Sequence, residues 1–136
     1  MDGFISASCK CGSVKFISTD IPVIQVCCHC SDCREATGDP YSEIAFFKAR
    51  KVEINGSLAF QEYNSSPGNK TKREYCPGCR DIMFDRSSAF PGLVGVFTNK
   101  IEPPFIPSIR THVWVKSKLS SVSIPSGVTE YQEGIL

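Results

Sequence analysis

The most constraining feature of this sequence is a dense group of cysteines between positions 27 and 33. Five side chains with soft metal-binding atoms occur within these seven residues: Cys27, Cys28, His29, Cys30 and Cys33. The spacing Cys-x-Cys-x-x-Cys from Cys28 to Cys33 can bring three sulfurs to one point, and its second half is the knuckle common at zinc sites. Three thiolates leave a tetrahedral ion one ligand short. Spacing alone therefore allows a catalytic zinc with one exchangeable position, or a structural zinc closed by Cys27, His29 or a distant group.

Two further cysteine pairs lie outside this group. They are Cys9-Lys10-Cys11-Gly12 and Cys76-Pro77-Gly78-Cys79, which together form a Cys₄ set of the kind that closes a structural zinc. The two pairs are far apart in the chain, but the cost of closing a loop grows only logarithmically with its length. A rival partition combines Cys30 and Cys33 with Cys76 and Cys79, and leaves Cys9, Cys11, Cys27 and Cys28 for a second closed site. Spacing permits both partitions.

The alternation of side chains along a strand assigns Cys27 and His29 to the face opposite Cys28 and Cys30. We therefore interpret Cys27 as a small core residue. His29 is a weaker candidate ligand than the cysteines for the same reason. His112 lies in an alternating strand and is interpreted as a packed or hydrogen-bonded histidine.

Composition and charge do not favour a nucleic-acid-binding, membrane or secreted protein. The chain of 136 residues has 15 Lys and Arg against 14 Asp and Glu, a net charge of +1, which does not suggest a nucleic acid or an acidic membrane as partner. The N-terminus has no signal-peptide pattern, and no apolar stretch reaches the length of a membrane span. We expect a cytoplasmic or nuclear protein, where clustered cysteines bind metal more often than they form disulfides. The length predicts a single domain over residues 1–136.

Short stretches of β-branched and aromatic residues between turn formers predict an all-β fold of packed sheets. The predicted strands are 13–18, 23–26, 41–47, 52–54, 58–63, 72–75, 81–85, 93–97 and 111–115. Asn55-Gly56 predicts a two-residue hairpin between the strands that flank it. One helix is predicted over 31–37, capped by Ser31 or Asp32 and ended by Gly38.

Taken together, the motifs resemble a known family, the glutathione-dependent formaldehyde-activating enzymes, which include centromere protein V. The resemblance rests on Cys9-Lys10-Cys11-Gly12, on Cys28-His29-Cys30-Ser31-Asp32-Cys33-Arg34 and on Cys76-Pro77-Gly78-Cys79, with weaker similarity at Gly95-Val96-Phe97 and His112-Val113-Trp114. These anchors follow the order of the family. They extend over most of the chain, from residue 9 to about residue 115.

The resemblance implies a tent-like zinc fold of packed antiparallel sheets, shared with Rab-binding chaperones and methionine-R-sulfoxide reductases. It implies two zinc ions per chain. The structural zinc is implied on Cys9, Cys11, Cys76 and Cys79, and the catalytic zinc on Cys28, Cys30 and Cys33. It also implies a carbon-sulfur lyase that adds a thiol such as glutathione to formaldehyde or a related small carbonyl. Glutathione carries two carboxylates, and Arg34 beside the second set is the candidate to bind one of them.

Two other functions remain open at this point. A non-catalytic zinc-binding module that binds a protein partner would have a second site closed by four fixed ligands. Sulfoxide reduction would need a redox-active cysteine outside both metal sets, and only Cys27 is left for that role. The chain also departs from the family pattern at Arg80, where glycine is common, at Thr98-Asn99, and at Leu119, where a tryptophan is usual. These departures concern the substrate pocket and leave both metal sets intact.

Overall fold

The computed structural model describes residues 4–65 and 69–135, and these residues form a mainly β protein, which confirms the predicted fold class. The strands are β1 Ile5–Ser8, β2 Lys15–Ser18, β3 Ile24–Cys28, β4 Ser42–Lys48, β5 Val52–Asn55, β6 Ala59–Ser65, β7 Asn69–Tyr75, β8 Ile82–Ser87, β9 Leu93–Phe97, β10 Thr111–Val113 and β11 Thr129–Glu130. Helix α1 is Ser31–Thr37, and short 3₁₀ turns occur at Ala49–Lys51, Thr98–Lys100 and Val115–Ser117. Within the described residues, no helix is both long enough and apolar enough to cross a membrane.

The chain divides into two compact units, of which the first comprises the described parts of 1–24 and 45–106. This unit contains an antiparallel sheet in the order β1-β2-β5. It also contains residues 45–48 of β4 and the strands that follow in the order β9-β8-β7-β6, in which neighbours pair antiparallel. These strands supply most of the buried residues of the main hydrophobic core, and Cys9, Val14 and Cys76 lie next to strand ends.

The core of the first unit is built around Phe16. Along β2 the exposure alternates, with Phe16 and Ser18 buried and Lys15 and Ile17 exposed, as expected for a strand with one covered face. The Phe16 ring contacts the ring of Phe47 edge-on at a centroid distance of 5.1 Å, and the ring of Phe84 at 5.9 Å. Such aromatic contacts add to the hydrophobic stabilisation from burial. Cys9 and Cys76 belong to the same core, so one cysteine set is continuous with it.

The second unit comprises 25–44 and the described part of 107–136. Its strands have the order β11-β10-β3, and both pairs are parallel, with Val113 opposite Cys28. This parallel pairing adds to the antiparallel sheets that were predicted. The predicted helix over 31–37 is confirmed, and it ends at Gly38, whose φ of 76° is the left-handed conformation common after a helix.

The predicted hairpin at Asn55-Gly56 is wrong. Strand β5 pairs with β2, and β6 pairs with β7, so the turn connects strands of different sheets. Gly56 has a φ of 111°, and a Cβ added there would clash with the backbone oxygen of Ser13. Glycine is therefore required at this turn by its conformation and by close backbone approach.

We expect Gly56→Ala to lower the free energy of unfolding by about 3 kcal/mol, because the added methyl group is strained and meets backbone that cannot move away. Gly134→Ala is the matched control, since a Cβ there meets nothing within 4 Å. Urea unfolding of the full chain measures both changes. Equal unfolding midpoints for the two variants would contradict this account of the turn.

Candidate metal centres

The first cysteine set is brought together by two knuckles of the first unit. Cys9 and Cys11 follow β1, and Cys76 and Cys79 lie between β7 and β8. Their four sulfurs lie within 4.8 Å of one another, with 3.6 Å from Cys9 to Cys11 and from Cys11 to Cys76. The sulfurs of a tetrahedral zinc site with ordinary Zn–S bonds would be about 3.8 Å apart. None of the eight cysteines forms a disulfide, so both the spacing and the donor type fit a closed zinc site.

A buried carboxylate connects the two knuckles. Asp81 accepts a 2.8 Å hydrogen bond from the Lys10 N–H, between Cys9 and Cys11, and a 2.8 Å bond from Nζ of Lys100. Burial raises the pKa of Asp81, but the hydrogen bond from Lys100 and the other contacts outweigh it and lower the pKa below the usual value. The ionised carboxylate therefore fixes the relative positions of the two cysteine pairs.

Local donors favour the thiolate form of Cys9. Burial raises the pKa of Cys9, but the N–H of Val14 and hydrogen bonds from neighbouring thiols and from Ser13 together lower it to about 6. The Ser13 hydroxyl also lies 3.0 Å from the sulfur of Cys11 and 3.2 Å from that of Cys76. The thiolate is the form that binds metal.

Arg80 stands where the family commonly has glycine, and its backbone conformation shows why glycine suits this position. Its φ of 67° is left-handed, the region that favours glycine, and its N–H donates to the Cys76 oxygen at 2.8 Å. The knuckle therefore has a backbone conformation that suits glycine and is strained for arginine. The metal set is unaffected, in agreement with the expectation that this departure spares the ligands.

The second set is built from the end of β3 and the start of α1. The sulfurs of Cys28, Cys30 and Cys33 lie within 4.8 Å of one another, and those of Cys28 and Cys30 are 3.3 Å apart. The sulfur of Cys30 accepts the N–H of Cys33 at 3.3 Å, so Cys30 is the N-cap of the helix, where Ser31 or Asp32 was predicted. Capping fixes the position of this sulfur and partly satisfies the first turn of the helix.

Crowding of the three sulfurs raises the pKa of Cys28 well above its ordinary value. The causes are its hydrogen bonds with Cys30 and Cys33, followed by burial and by the charges of the same two cysteines. Such a group of thiols needs a cation among its sulfurs before all three can ionise together. The donor set therefore fits a soft divalent ion such as zinc.

The grouping of sulfurs matches the first partition of the cysteines rather than the rival one. Across residues 4–65 and 69–135, no fourth His, Cys, Asp or Glu atom joins the group of Cys28, Cys30 and Cys33. Which ions the two sets hold stays a prediction.

Cys27, His29 and His112 form a third group on the other side of β3, also within 4.8 Å. Nε2 of His29 and Nδ1 of His112 are 2.9 Å apart, and the ring centres are 5.2 Å apart with planes 19° apart. Each nitrogen lies about 1.15 Å from the centre of its own ring. The 5.2 Å between the ring centres therefore means that both nitrogens lie almost on the line that joins the centres, so the rings meet edge to edge. That is the geometry of an N–H···N hydrogen bond. Two nitrogens on one tetrahedral zinc would be about 3.3 Å apart, with both lone pairs aimed at the ion.

The proton of this hydrogen bond can be assigned. Nδ1 of His29 is buried and has no hydrogen-bond partner among the described residues, so a proton there would be unsatisfied. We therefore assign the donor as Nε2 of His29 and the acceptor as Nδ1 of His112. Burial, followed by the charge of His112, lowers the pKa of His29 to about 4, and burial also lowers that of His112. Both rings are neutral at pH 7, which agrees with the interpretation of His112 as a hydrogen-bonded histidine.

Cys27 lacks the properties of a reactive thiol. Its exposed fraction is 1 %, and burial, with a contribution from Glu43, raises its pKa to about 12. A redox-active cysteine is accessible and has a lowered pKa. The structure therefore supports the interpretation of Cys27 as a core residue and removes the basis for sulfoxide reduction.

Arg34 lies one residue beyond Cys33 in α1. Its Nη1 donates to the backbone oxygens of His29 and Ser117, both at 2.6 Å. The guanidinium thus connects the loop before the helix to the segment after β10. This use of Nη1 was not foreseen from the sequence, and the predicted role of Arg34 in substrate binding stays a prediction.

Apolar side chains surround the second set. Cys28, Cys33 and Val113 form a small buried cluster, and Cys30, Trp114, Tyr131 and Ile135 pack against it while partly exposed. Backbone hydrogen bonds from Trp114 to Glu133, at 2.9 Å, and from Val115 to Tyr131, at 3.1 Å, hold the C-terminal segment beside β10. Sequence reasoning missed Tyr131 and Ile135, because the C-terminal segment has no clear strand pattern.

Comparisons with known proteins agree with this picture. A family model described as GFA, glutathione-dependent formaldehyde-activating enzyme, matches residues 4–117, most of the chain. The chain is also similar to the crystal structure of a Rhodobacter sphaeroides protein solved by structural genomics, with a TM-score of 0.57 and 16 % sequence identity over 93 % of this chain and 98 % of that one. At that identity the likeness shows the fold alone. No curated protein matches.

The two sets are expected to differ in their contribution to stability. Cys9→Ser should remove one metal ion and lower the free energy of unfolding by about 3 kcal/mol or more, because Cys9 belongs to the main core. Cys30→Ser should remove the other ion and leave the chain folded, because Cys30 lies at the edge of a small cluster. Metal analysis and urea unfolding measure both effects. Equal loss of stability in the two variants would contradict the partition.

Proposed function

The chain belongs to the family of glutathione-dependent formaldehyde-activating enzymes, and on that premise we propose that it is a zinc-dependent carbon-sulfur lyase. It adds a thiol such as glutathione to formaldehyde or a related small carbonyl. The observation that carries the proposal is the group of three sulfurs on Cys28, Cys30 and Cys33, to which no fourth ligand atom is joined in the described part of the chain. Catalytic zinc sites have three protein ligands and keep one exchangeable position.

Zinc bound to these sulfurs would lower the pKa of an incoming thiol, so that the thiol reacts as a thiolate at neutral pH. The residues of the chain hold the sulfurs and form their surroundings. Cys28, Cys30 and Cys33 hold their sulfurs in place, and the N–H of Cys33 orients Cys30. Val113 is buried against Cys28 and Cys33, and this apolar contact gives the two sulfurs surroundings of low polarity, in which electrostatic interactions are stronger.

The reaction needs no oxidant or reductant. The sulfur of the thiol forms a bond to the carbonyl carbon, the C=O π electrons move to the oxygen, and that oxygen gains the proton that the thiol has lost. Holding the aldehyde close to that sulfur would add to the acceleration by proximity.

We assign the first set, Cys9, Cys11, Cys76 and Cys79, to a structural zinc, because four sulfurs complete a tetrahedron and two of them lie in the main core. The proposal thus includes two zinc ions per chain and residues 1–136 acting as one domain. Reduced cysteines of this kind fit the cytoplasm or the nucleus. The alternative is a non-catalytic zinc module that binds a protein partner, for which both metal sites would be closed by the chain.

The proposal is tested by the exchange of formaldehyde into its thiol adduct, followed by NMR in the presence of glutathione and other thiols. The zinc-loaded chain should accelerate this exchange, and Cys28→Ser should lower the acceleration at least about 100-fold by removing a ligand of the catalytic ion. Cys27→Ser is the matched control, because it changes the adjacent cysteine on the other side of β3, outside the sulfur set, and should keep the acceleration.

Circular dichroism of both variants separates loss of catalysis from loss of folding. An unchanged rate in a folded Cys28→Ser variant would refute the catalytic assignment. No acceleration by the zinc-loaded wild-type chain with any thiol tested would favour the non-catalytic module.

A further inference from the structure

We infer that His29 is a positioning residue of the second set, and that its hydrogen bond with His112 fixes the backbone that carries the sulfurs of Cys28 and Cys30. The inference rests on the proposed function in one respect, since it needs an ion on the second set. Three contacts of His29 carry it, two made by its backbone and one made by its ring.

His29 lies between two members of the second set but is not itself in contact with the ion's position. Its neighbours in the chain are Cys28 and Cys30, whereas its ring belongs to the separate group with Cys27 and His112 on the other side of β3. The residue is 1 % exposed, so its ring is not part of a surface that a substrate could touch. Any effect of His29 on the second ion therefore passes through the backbone.

Both peptide groups of His29 are held by hydrogen bonds. Its N–H, in the peptide bond to Cys28, donates to the backbone oxygen of Val113 at 3.1 Å. Its C=O, in the peptide bond to Cys30, accepts from Nη1 of Arg34 at 2.6 Å. Because peptide bonds are planar, the distance between the Cα atoms of the two cysteines depends on the φ and ψ of His29 alone. Holding His29 therefore holds the spacing of its two neighbours.

The ring of His29 supplies the third contact, to the same strand as the first. Its Nε2 donates to Nδ1 of His112 at 2.9 Å, and His112 directly precedes Val113 in β10. The sulfur of Cys27 lies 3.6 Å from the same Nε2, farther than His112. The ring of Tyr41 packs against that of His29, with 5.8 Å between the centres and 51° between the planes. The ring therefore ties the Cα of His29 to β10, and with it the φ and ψ of this residue.

A buried hydrogen bond of this kind contributes position more than stability. Two neutral rings give up hydrogen bonds to water in order to form it, so its net contribution to folding is small. Nδ1 of His29 also has no hydrogen-bond partner among the described residues, which is a further cost of burying the ring. Two apolar side chains of similar size would avoid that cost, but they would not fix the orientation of the backbone.

The second set is already close to the geometry of a bound ion. The sulfurs of Cys28 and Cys30 are 3.3 Å apart, whereas two sulfurs on one tetrahedral zinc would be about 3.8 Å apart. Losing a group that orients metal ligands typically lowers metal affinity about 10- to 100-fold. We therefore expect loss of the bond between His29 and His112 to weaken metal binding at the second set and to leave the first set unchanged.

The test compares full-length chains loaded with cadmium at both sets, from which increasing EDTA removes the metal. The two cadmium-113 resonances report which set loses its ion. The main variant combines His29→Leu with His112→Leu, which removes the bond without leaving one partner unpaired. Its second set should bind cadmium about 10- to 100-fold more weakly than that of the wild-type chain. The affinity of the first set and the circular dichroism spectrum should not change.

Two conservative variants should keep the affinity of the second set. In His29→Gln the side-chain amide places an N–H close to the position of Nε2, and in His112→Asn the amide oxygen lies close to the position of Nδ1. Each should stay within about threefold of the wild-type affinity, because the hydrogen bond can still form.

Val26→Ala is the matched control for packing between the same two strands. Val26 is buried in β3 opposite Thr111 of β10, and it belongs to neither sulfur set. The smaller side chain should weaken the packing of these strands and leave the cadmium affinity of both sets unchanged. If Val26→Ala weakens the second set as much as the double leucine variant does, general packing is responsible and the inference fails.

Nitrogen-15 NMR of the unmodified, metal-loaded chain with labelled histidine tests the bond itself, even if the leucine variant does not fold. We expect a coupling across the hydrogen bond between Nε2 of His29 and Nδ1 of His112. Absence of this coupling, or equal second-set affinities in the double leucine and wild-type chains, would overturn the inference and leave the proposed function standing. A wild-type chain that holds cadmium at the first set alone would refute both proposals.

Discussion

The chemistry of this protein depends on the crowding of cysteine sulfurs, because neighbouring thiolates repel one another unless a cation lies among them. The chain produces this crowding twice, with four sulfurs in the first set and three in the second. Four thiolates complete a tetrahedral ion, whereas three leave one position for another ligand. In the proposed function, this difference in number separates a structural site from a catalytic one.

The two sets are assembled by different means, and this bears on what each can do. The first joins distant knuckles of the chain, and buried Asp81 fixes their relative positions. The second comes from six consecutive residues at the end of β3 and the start of α1, so local backbone geometry is enough to form it. Loss of a ligand from the second set therefore disturbs a short local segment at the edge of a small cluster, whereas loss of Cys9 or Cys76 from the first set disturbs the main core.

Patterns within short stretches of the sequence correctly predicted the features that depend on residues close together in the chain. The spacing of Cys28, Cys30 and Cys33, their alternation with Cys27 and His29, and the helix ended by Gly38 all appear where expected. Strands β1 and β11 were missed, because β11 has two residues and β1 has four, of which only Ile5 has a high β propensity. The prediction of a hairpin at Asn55-Gly56 was wrong because β5 pairs with β2 and not with β6. This pairing depends on residues distant in the sequence, which the residues of the turn do not determine. The hydrogen bond between His29 and His112 could not be foreseen for the same reason, since it joins residues that only the pairing of β3 with β10 brings together.

The number of protein ligands on the second ion is the central claim, and cadmium-113 NMR of the cadmium-loaded chain tests it most directly. The account predicts two resonances. One belongs to a site of four sulfurs and does not respond to an added thiol, and the other belongs to a site of three sulfurs and shifts toward the four-sulfur position when a thiol is added. Two four-sulfur resonances in the absence of any added thiol, neither of which moves when thiol is supplied, would contradict it.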